Sequence, residues 1–373
     1  MKKCFGILTL VCSATTGFAQ IQYQYIDLGT RDGLTSSSAQ GINNSGQILF
    51  DRTFLLSGPG GTFTQIPGIV SGRSLTGEII NNFGNVAGSG TSSSSAASRR
   101  AALWTNSSNL TANLGSLGER SEALGLNNLD VAVGFSRTTS SSASQRAVRF
   151  NTDGTITNLA TNLFADGSVA DAINDSGLIV GTGRRVTDPN NRALLFDGAG
   201  NASALPLLDA DDRGAAFGIN NAGIAVGRST TFTADTDKAV SWNLSTNSVT
   251  ELFDPSSEFG GTTATDINED GVIIGTGIKN GIDVRGVVWI GQEGFDLNTV
   301  ATGIPDGYYI RIAEDINDLG QIVGYAQFDF EDGTFLTRAF LLNPQPVPEP
   351  TTVAALAISG LALIRRQRRR QSR

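Results

Sequence analysis

The chain has 373 residues, of which 39% are apolar and 17% are charged, so it can bury a sizeable core and is not disordered. It contains no histidine, which excludes Ser-His-Asp and Cys-His catalysis and any imidazole-bound metal. Its two cysteines, Cys4 and Cys12, both lie near the N-terminus, so a cysteine zinc site or a disulfide framework is excluded as well. We therefore expect no cofactor and no metal.

Residues 1–19 are typical of an export signal. Lys2 and Lys3 precede an apolar run from Phe5 to Cys12, and a stretch of small residues ends at Ala19. This order predicts a Sec-type signal peptide, cleaved between Ala19 and Gln20. A lipid anchor on Cys12 is the less favoured alternative, because Val11 stands where a lipoprotein signal needs a small residue.

Residues 20–343 form an internal repeat with a period of roughly 46 residues. A phrase of Ile-Asn-x-x-Gly, with small variations, precedes an apolar strand in seven copies. Its asparagines are Asn43, Asn81, Asn127, Asn174, Asn220, Asn268 and Asn317. Six copies have glycine three residues after the asparagine and the third has Asp130, which also tolerates a left-handed backbone. The phrase predicts a tight hairpin turn, and a calcium loop is disfavoured because most copies lack enough oxygen ligands.

The strand before each turn carries small residues at alternate positions, as a strand nearest a crowded axis would. A second phrase places a basic residue on the third strand of each unit: Arg52, Arg100, Arg146, Arg192, Lys238, Arg285 and Arg338. The position four residues after this basic residue holds a large apolar side chain in every unit, and all three tryptophans of the chain occupy it. This repetition predicts packing between repeats. The loops between the second and third strands vary freely, which is typical of a recognition surface.

A fourth strand closes the first six units, but the seventh ends at Leu342 without one. A matching segment, Tyr23 to Leu28, stands at the start of the mature chain and can complete that unit. We therefore predict an all-β fold, a seven-bladed β-propeller of four-stranded blades closed by an N-terminal strand. A β-solenoid is the alternative, although it would need no such wrap-around strand.

Two groups of charged residues are candidates for binding. In the structural interpretation, the seven repeated cations pair with carboxylates or carbonyls of neighbouring strands. In the alternative, they bind an anionic polymer such as exopolysaccharide. Asp266 and Asp315 occupy the same position near the axis in adjacent units, where they could bind a cation or share a proton. Paired carboxylates are also the minimum equipment of a glycosidase, but we predict no catalytic residue.

The C-terminal end resembles the PEP-CTERM sorting tail. Residues 344–350 are a Pro-rich spacer that ends in Pro348, Glu349 and Pro350. Residues 351–373 hold an apolar segment, expected to be a helix, and a basic cluster of Arg365, Arg366, Arg368, Arg369 and Arg370. The resemblance implies transient anchoring in the inner membrane with the arginines in the cytoplasm, followed by cleavage by exosortase, a membrane transpeptidase. The apolar run from Val353 to Ile364 is short for a span of about twenty residues.

The body resembles the extracellular HAF repeat. The seventh unit is nearest to that pattern, with Arg338-Ala339-Phe340 on one strand and the hairpin from Asp315 to Gly324. Every copy has arginine or lysine where the family has histidine. The family has no settled activity, so the resemblance implies a repeat and an extracellular location rather than a chemistry.

The net charge of residues 20–343 limits the kinds of molecule that they can bind. Of 27 basic and 35 acidic residues, the leader's two lysines, the tail's six arginines and Glu349 lie outside the body, which leaves it near −15. This charge disfavours nucleic acid. We expect an exported, non-enzymatic binding or scaffold module at the cell envelope or in the exopolysaccharide matrix, with extracellular polysaccharide or a surface protein as partner. The alternative is a carboxylate-dependent polysaccharide lyase or glycosidase on a propeller scaffold.

Overall fold

The computed structural model describes residues 21–346, except residues 32, 94–98, 142–143, 162–166, 185–189, 210 and 232–235. The predicted signal peptide, the sorting motif and the apolar segment with its arginines lie outside the described residues. Within the described part of the chain, no helix has the length and apolar character needed to cross a membrane. The chain divides into two compact units, one of which is Tyr23–Asn343. The other comprises Met1–Gln22 and Pro344–Arg373, and in its described part the Gln345 N–H donates to the Gln22 carbonyl.

The unit Tyr23–Asn343 is a seven-bladed β-propeller. It begins with strand β1 (Tyr23–Asp27) and continues through six blades, each a four-stranded antiparallel sheet with its strands in chain order. Blade 1 has β2 (Ala39–Ile42), β3 (Ile48–Phe50), β4 (Phe54–Leu56) and β5 (Phe63–Gln65). Blade 2 has β6 (Thr76–Ile80), β7 (Val86–Thr91), β8 (Arg99–Thr105) and β9 (Leu110–Gly115). Blade 3 has β10 (Ser121–Leu126), β11 (Ala132–Arg137), β12 (Gln145–Phe150) and β13 (Ile156–Asn158).

The later blades follow the same plan. Blade 4 has β14 (Val169–Ile173), β15 (Ile179–Arg184), β16 (Asn191–Phe196) and β17 (Ala202–Ala204). Blade 5 has β18 (Arg213–Ile219), β19 (Ile224–Thr230), β20 (Lys238–Asn243) and β21 (Ser248–Glu251). Blade 6 has β22 (Phe259–Ile267), β23 (Val272–Lys279), β24 (Asp283–Ile290) and β25 (Glu293–Asp296). The connection to blade 7 contains helix α1 (Leu297–Val300) and strand β26 (Ala301–Thr302), and blade 7 itself begins with β27 (Tyr309–Ile316), β28 (Ile322–Asp329) and β29 (Phe335–Pro344).

The N-terminal strand β1 completes blade 7. It lies beside β29, and the Leu28 N–H donates to the Ala339 carbonyl at 3.0 Å. Strand β26, which the sequence did not predict, pairs in parallel with the outer edge of β1 as a short fifth strand. Each sheet packs on the next, and β2 of blade 1 packs on β27 and β28 of blade 7, so the sheets close into a ring.

The predicted turns are confirmed in all seven repeats. The residue three positions after each repeat asparagine has a positive φ, 58° at Asp130 and between 72° and 84° at the six glycines. One repeat departs from the predicted register on its third strand. Arg52 was expected within a strand, but β4 begins at Phe54, and Arg52 lies in the preceding turn with φ 58°.

The core lies between neighbouring blades. The large apolar side chains at the repeated position on the third strand are at most 1% exposed, and they are Leu56, Trp104, Phe150, Phe196, Trp242, Trp289 and Leu342. The three indole N–H groups are also bonded, for example from Trp242 to the Pro206 carbonyl at 2.7 Å. Burying these rings stabilises the contact between blades while leaving no indole donor unpaired.

Candidate functional site

The inner strands of the seven blades line an axial channel. Each inner strand contains a β-bulge, and the extra residue lies three positions before the repeat asparagine. These bulge residues are Gln40, Glu78, Leu124, Asp171, Phe217, Thr265 and Glu314. All seven line the channel, and three of them, Glu78, Asp171 and Glu314, are acidic. A bulge re-aims the side chain of its extra residue, so a position that simple alternation would turn away from the axis faces it instead.

Two cavities follow one another along this channel. The loop-side cavity, of about 280 Å³, is lined by the seven bulge residues and by Arg52. The turn-side cavity, of about 300 Å³, is lined by residues of the Asn-x-x-Gly turns. Asp266 and Asp315 line both cavities and therefore lie where the two meet.

The repeat asparagines form a closed ring of hydrogen bonds around the turn-side end of the channel. Each asparagine donates from Nδ2 to the backbone carbonyl of the corresponding asparagine in the next blade, at 3.0–3.2 Å. The series runs from Asn43 through all seven blades, and Asn317 donates back to Asn43. Each Oδ1 also accepts from the N–H four residues later and so holds its own turn. One buried side chain therefore joins two blades.

A second ring involves the residue after each asparagine. Its backbone N–H donates to the side chain of the equivalent residue in the next blade, at 2.8–3.1 Å. These residues are Asn44, Asn82, Asn128, Asp175, Asn221, Glu269 and Asp318. The sequence pattern predicts these asparagines as turn formers only, and neither ring was predicted from it. The available signal was that the position after the asparagine always carries a side-chain acceptor.

The structure brings Asp266 and Asp315 together, as the sequence analysis expected. An Asp266 oxygen accepts the Ile316 N–H of blade 7 at 3.3 Å, and an Asp315 oxygen accepts the Ile42 N–H of blade 1 at 2.7 Å. Burial, and next the neighbouring Asp315 carboxyl, raise the pKa of Asp266 well above its usual range. Burial also raises the pKa of Asp315, while its hydrogen bond with Asp266 acts in the opposite direction. Full ionisation of both carboxyls is therefore disfavoured, and the pair connects blades 6, 7 and 1.

Three further carboxyls reach the loop-side cavity from the bulges. Burial raises the pKa of Asp171 to about 7, and a 3.4 Å hydrogen bond from the Thr182 hydroxyl lowers it less. Burial also raises the pKa values of Glu78 and Glu314. The Arg52 guanidinium contacts the Glu78 carboxylate, which offsets part of that shift. The cavity is consequently acidic, and Arg52, the only cation that lines it among the described residues, is already paired with Glu78.

The repeated cations have partners near their own strands. Lys238 lies 3.5 Å from Asp211, Arg285 lies 3.3 Å from Asp283, and Arg338 donates to the Thr35 carbonyl at 2.6 Å. Arg100 and Arg146 donate to backbone carbonyls, and Arg192 also has an interaction partner. Apart from Arg52, none of the seven lines either described cavity. The arrangement is the one that the structural interpretation expects, and that interpretation stays a prediction.

The described residues contain no group of three acidic, cysteine or histidine residues placed to hold a metal ion.

Comparison with known proteins gives the fold more clearly than an activity. Residues 208–346, which include blades 5 to 7, match a family described as "Protein of unknown function (DUF3466)". No curated protein matches the chain.

Among solved structures, an oligogalacturonate lyase from Vibrio parahaemolyticus is 13% identical with a TM-score of 0.54, and the match covers 88% of this chain and 98% of that one. An oligogalacturonate lyase in complex with manganese is 12% identical with a TM-score of 0.56, covering 88% and 97%. A prolyl endopeptidase is 10% identical with a TM-score of 0.51, covering 84% of this chain and 50% of that one. At these identities the likeness shows a shared fold alone.

Proposed function

We propose that this chain is an exported, non-enzymatic propeller that an exosortase-type transpeptidase sorts to the cell envelope or the exopolysaccharide matrix. There it acts as a binding or scaffold module. The resemblance of the tail to PEP-CTERM segments and that of the body to HAF repeats support the location. The acidic body supports partners other than nucleic acid.

The proposal that the protein is not an enzyme depends on one observation, the hydrogen bonds that Asp266 and Asp315 make between blades. A carboxyl that acts as general acid, general base or nucleophile needs an oxygen directed at its substrate. Here each carboxyl accepts a backbone N–H from the following blade, and the two carboxyls bond to one another. The pair thus serves the closure of the ring, as do the two rings of hydrogen bonds beside it.

The strand directions support presentation of the loop side to partners. β1 begins and β29 ends at the turn side, because the start of each runs beside the end of the other and the Asn317 turn follows β27. The last residues of β29 therefore lie at the turn side. The loops between second and third strands are on the opposite side, and they differ most in length and composition between repeats.

Asp171 favours the second candidate, a carboxylate-dependent lyase or glycosidase. A carboxyl with a pKa of about 7 in a cavity can exchange protons near neutral pH. The surroundings weigh against an anionic substrate of the kind that an oligogalacturonate lyase is named for, because Glu78 and Glu314 line the same cavity and Arg52 is occupied by Glu78. Release of reducing sugar from neutral or uronic acid polymers, lost in Asp171→Asn, would favour this candidate over ours.

The sorting proposal is tested by expression of the full chain in a bacterium that has an exosortase and in the same strain without it. We expect that the first strain yields a chain starting at Gln20 and shortened near Pro348, while the second retains the tail in its membrane fraction. Glu349→Ala is the matched control and should behave in the first strain as the unchanged chain does in the second. Identical C-termini from both strains, measured by mass spectrometry, would contradict the proposal.

A further inference from the structure

Three aromatic rings form a row at the loop-side end of blade 7. The centroids of Tyr308 and Phe328 are 5.4 Å apart, and those of Phe328 and Phe330 are 5.0 Å apart. Gly307 makes room for this row, because a Cβ there would come within 2.5 Å of the Phe328 ring. Phe328 lies on β28, Phe330 follows that strand directly, and Tyr308 directly precedes β27. β28 and β29 have 8 and 10 residues, whereas the equivalent strands of blade 1 have 3 residues each. Blade 7 thus extends further along its strands than blade 1 does.

The row is accessible to solvent. Phe330 is 43% exposed, and Tyr308 and Phe328 are partly exposed. Phe335, on the same hairpin, is 59% exposed. Exposed aromatic groups of this size are unfavourable in water, and a contiguous set on a folded surface usually marks a place where something binds.

A buried polar group near the row lacks a partner. The Tyr25 side chain is 4% exposed, and its hydroxyl has no hydrogen bond within the described part of the chain. Tyr308 and Arg338 are close enough to affect the pKa of Tyr25, which burial raises. A buried hydroxyl without a partner costs free energy, so an ordered water that connects it to a ligand hydroxyl would stabilise it.

Charges around the row select among ligands. The hairpin tip carries Asp329, Glu331 and Asp332, and Asp306 lies just before Tyr308; all four are exposed. Two arginines, Arg285 and Arg311, act on Asp329, but the four carboxylates outnumber them, so this end of the blade repels a uronic acid polymer or another polyanion. An uncharged sugar meets no such penalty. The apolar C–H face of a pyranose can stack on an aromatic ring, while its hydroxyls can bond to the surrounding carboxylates.

We propose that the row of Tyr308, Phe328 and Phe330 is a binding site for a neutral saccharide chain. The inference deepens the proposed function, on which it rests, by naming a surface and a class of ligand. Sugar rings lie along the three aromatic rings, and hydroxyl groups bond to the acidic tip of the β28–β29 hairpin. The site is separate from the axial channel, so it does not depend on the carboxyls of the two cavities.

Native affinity electrophoresis of the full chain tests this site. The polymers are hydroxyethyl cellulose, laminarin and galactomannan as neutral chains and polygalacturonate as the anionic one. We expect that at least one neutral polymer retards the protein and that Phe330→Ala and Tyr308→Ala each weaken retardation roughly tenfold. Phe330→Tyr should retain binding, because it keeps the ring.

Phe83→Ala is the matched control, since Phe83 is an equally large, 66% exposed ring at a turn on the opposite side. It should bind as the unchanged protein does, and equal melting temperatures would show that all variants are folded. The proposal is overturned if no neutral polymer retards the protein, if polygalacturonate alone does, or if Phe330→Ala and Phe83→Ala behave alike. Processing of the tail by exosortase needs none of these rings, so it reports on the proposed function independently.

Discussion

At the scale of single residues, Asp171 shows how the channel couples stability to pH. Its side chain projects from a bulge into the loop-side cavity, and burial raises its pKa to about 7, against about 3.9 in an unfolded chain. The folded state therefore holds this proton more tightly than the unfolded state. The contribution of Asp171 to stability is fully present below about pH 4 and is lost as the pH rises towards about 7.

We predict that Asp171→Asn makes the protein more stable than the unchanged chain at pH 8 and leaves it nearly equal at pH 4. Asparagine resembles the protonated carboxyl, keeps an oxygen for the Thr182 hydroxyl and does not titrate. Melting temperatures measured at pH 4, 6 and 8 test the difference. Asp153→Asn is the control, because Asp153 is an exposed acid whose pKa the Thr155 hydroxyl lowers, so it should give no gain at pH 8. Parallel pH profiles for Asp171→Asn and the unchanged chain would contradict the assignment.

Asp171 also lies on a feature that the sequence did not predict, the β-bulge of the inner strand. The repeat phrase predicted every turn, because asparagine and glycine have strong local preferences. It did not predict the bulge, since a bulge depends on the neighbouring strand. At the bulge of blade 3, a Cβ on Gly134 of the second strand would collide with the Glu122 carbonyl, so only glycine fits there. Such glycines were visible after the apolar strand of most repeats. Alternation alone predicted the axial residues two positions before the asparagine, such as Asp266 and Asp315, but missed the bulge residues that line the channel beside them.

At the scale of elements, β1 fills the place of a missing fourth strand. The Leu28 N–H bonds to the Ala339 carbonyl and the Gln345 N–H to the Gln22 carbonyl, so the two strands run antiparallel. If that register is uniform, Tyr25 faces Leu342, and both side chains are buried. This pairing joins residues more than 300 positions apart. It was predictable because six complete repeats defined what the seventh lacked.

A cysteine pair tests that register. We predict that Tyr25→Cys with Leu342→Cys forms an intramolecular disulfide under mild oxidation, because facing residues that do not exchange backbone hydrogen bonds have the nearest Cβ atoms. Peptide mass mapping of the monomer would identify the bond. Tyr25→Cys with Trp242→Cys, which places the second thiol in blade 5, is the control and should remain reduced. Equal oxidation of both pairs would mean that β1 does not hold the position described.

Other elements depended on contacts that no local pattern records. β26 is a two-residue strand that exists only because the edge of β1 is beside it. α1 begins after Asp296, whose carboxylate accepts the Asn298 N–H, but the run of apolar and polar residues there is too short to distinguish from a loop. In blade 1, the two-residue turn at Asp51 and Arg52 replaces the longer loop of other blades, and Arg52 moves from the strand to the channel.

At the scale of the whole molecule, the two hydrogen-bond rings make equivalent bonds at all seven contacts between neighbouring blades. The Asn317 side chain bonds to blade 1 as each other repeat asparagine bonds to its next blade. Blade 7 differs from the rest in connectivity, since its fourth strand, β1, comes from the opposite end of the sequence. The closure thus contributes two separable effects, the packing of a fourth strand in blade 7 and the covalent link from that strand to blade 1.

Transposition of β1 separates those effects. In a variant in which residues 21–28 are removed from the N-terminus and appended after Asn343 through residues 244–247, the turn that joins the third and fourth strands of blade 5, every blade becomes continuous. We predict that this variant folds with unchanged β-sheet content, because β1 already runs in the direction of a fourth strand. Its melting temperature should lie between those of the natural chain and of a chain that simply lacks residues 21–28.

The deletion alone leaves β29 without its partner and exposes an apolar edge, which also favours association. The transposed chain restores that strand but no longer fastens its first residues to blade 7, so the junction between blades 7 and 1 is held by side-chain packing and the two hydrogen-bond rings. Circular dichroism melts and light scattering measure the three chains. A transposed chain no more stable than the deletion would show that β1 acts through its covalent link to blade 1 rather than as the fourth strand of blade 7.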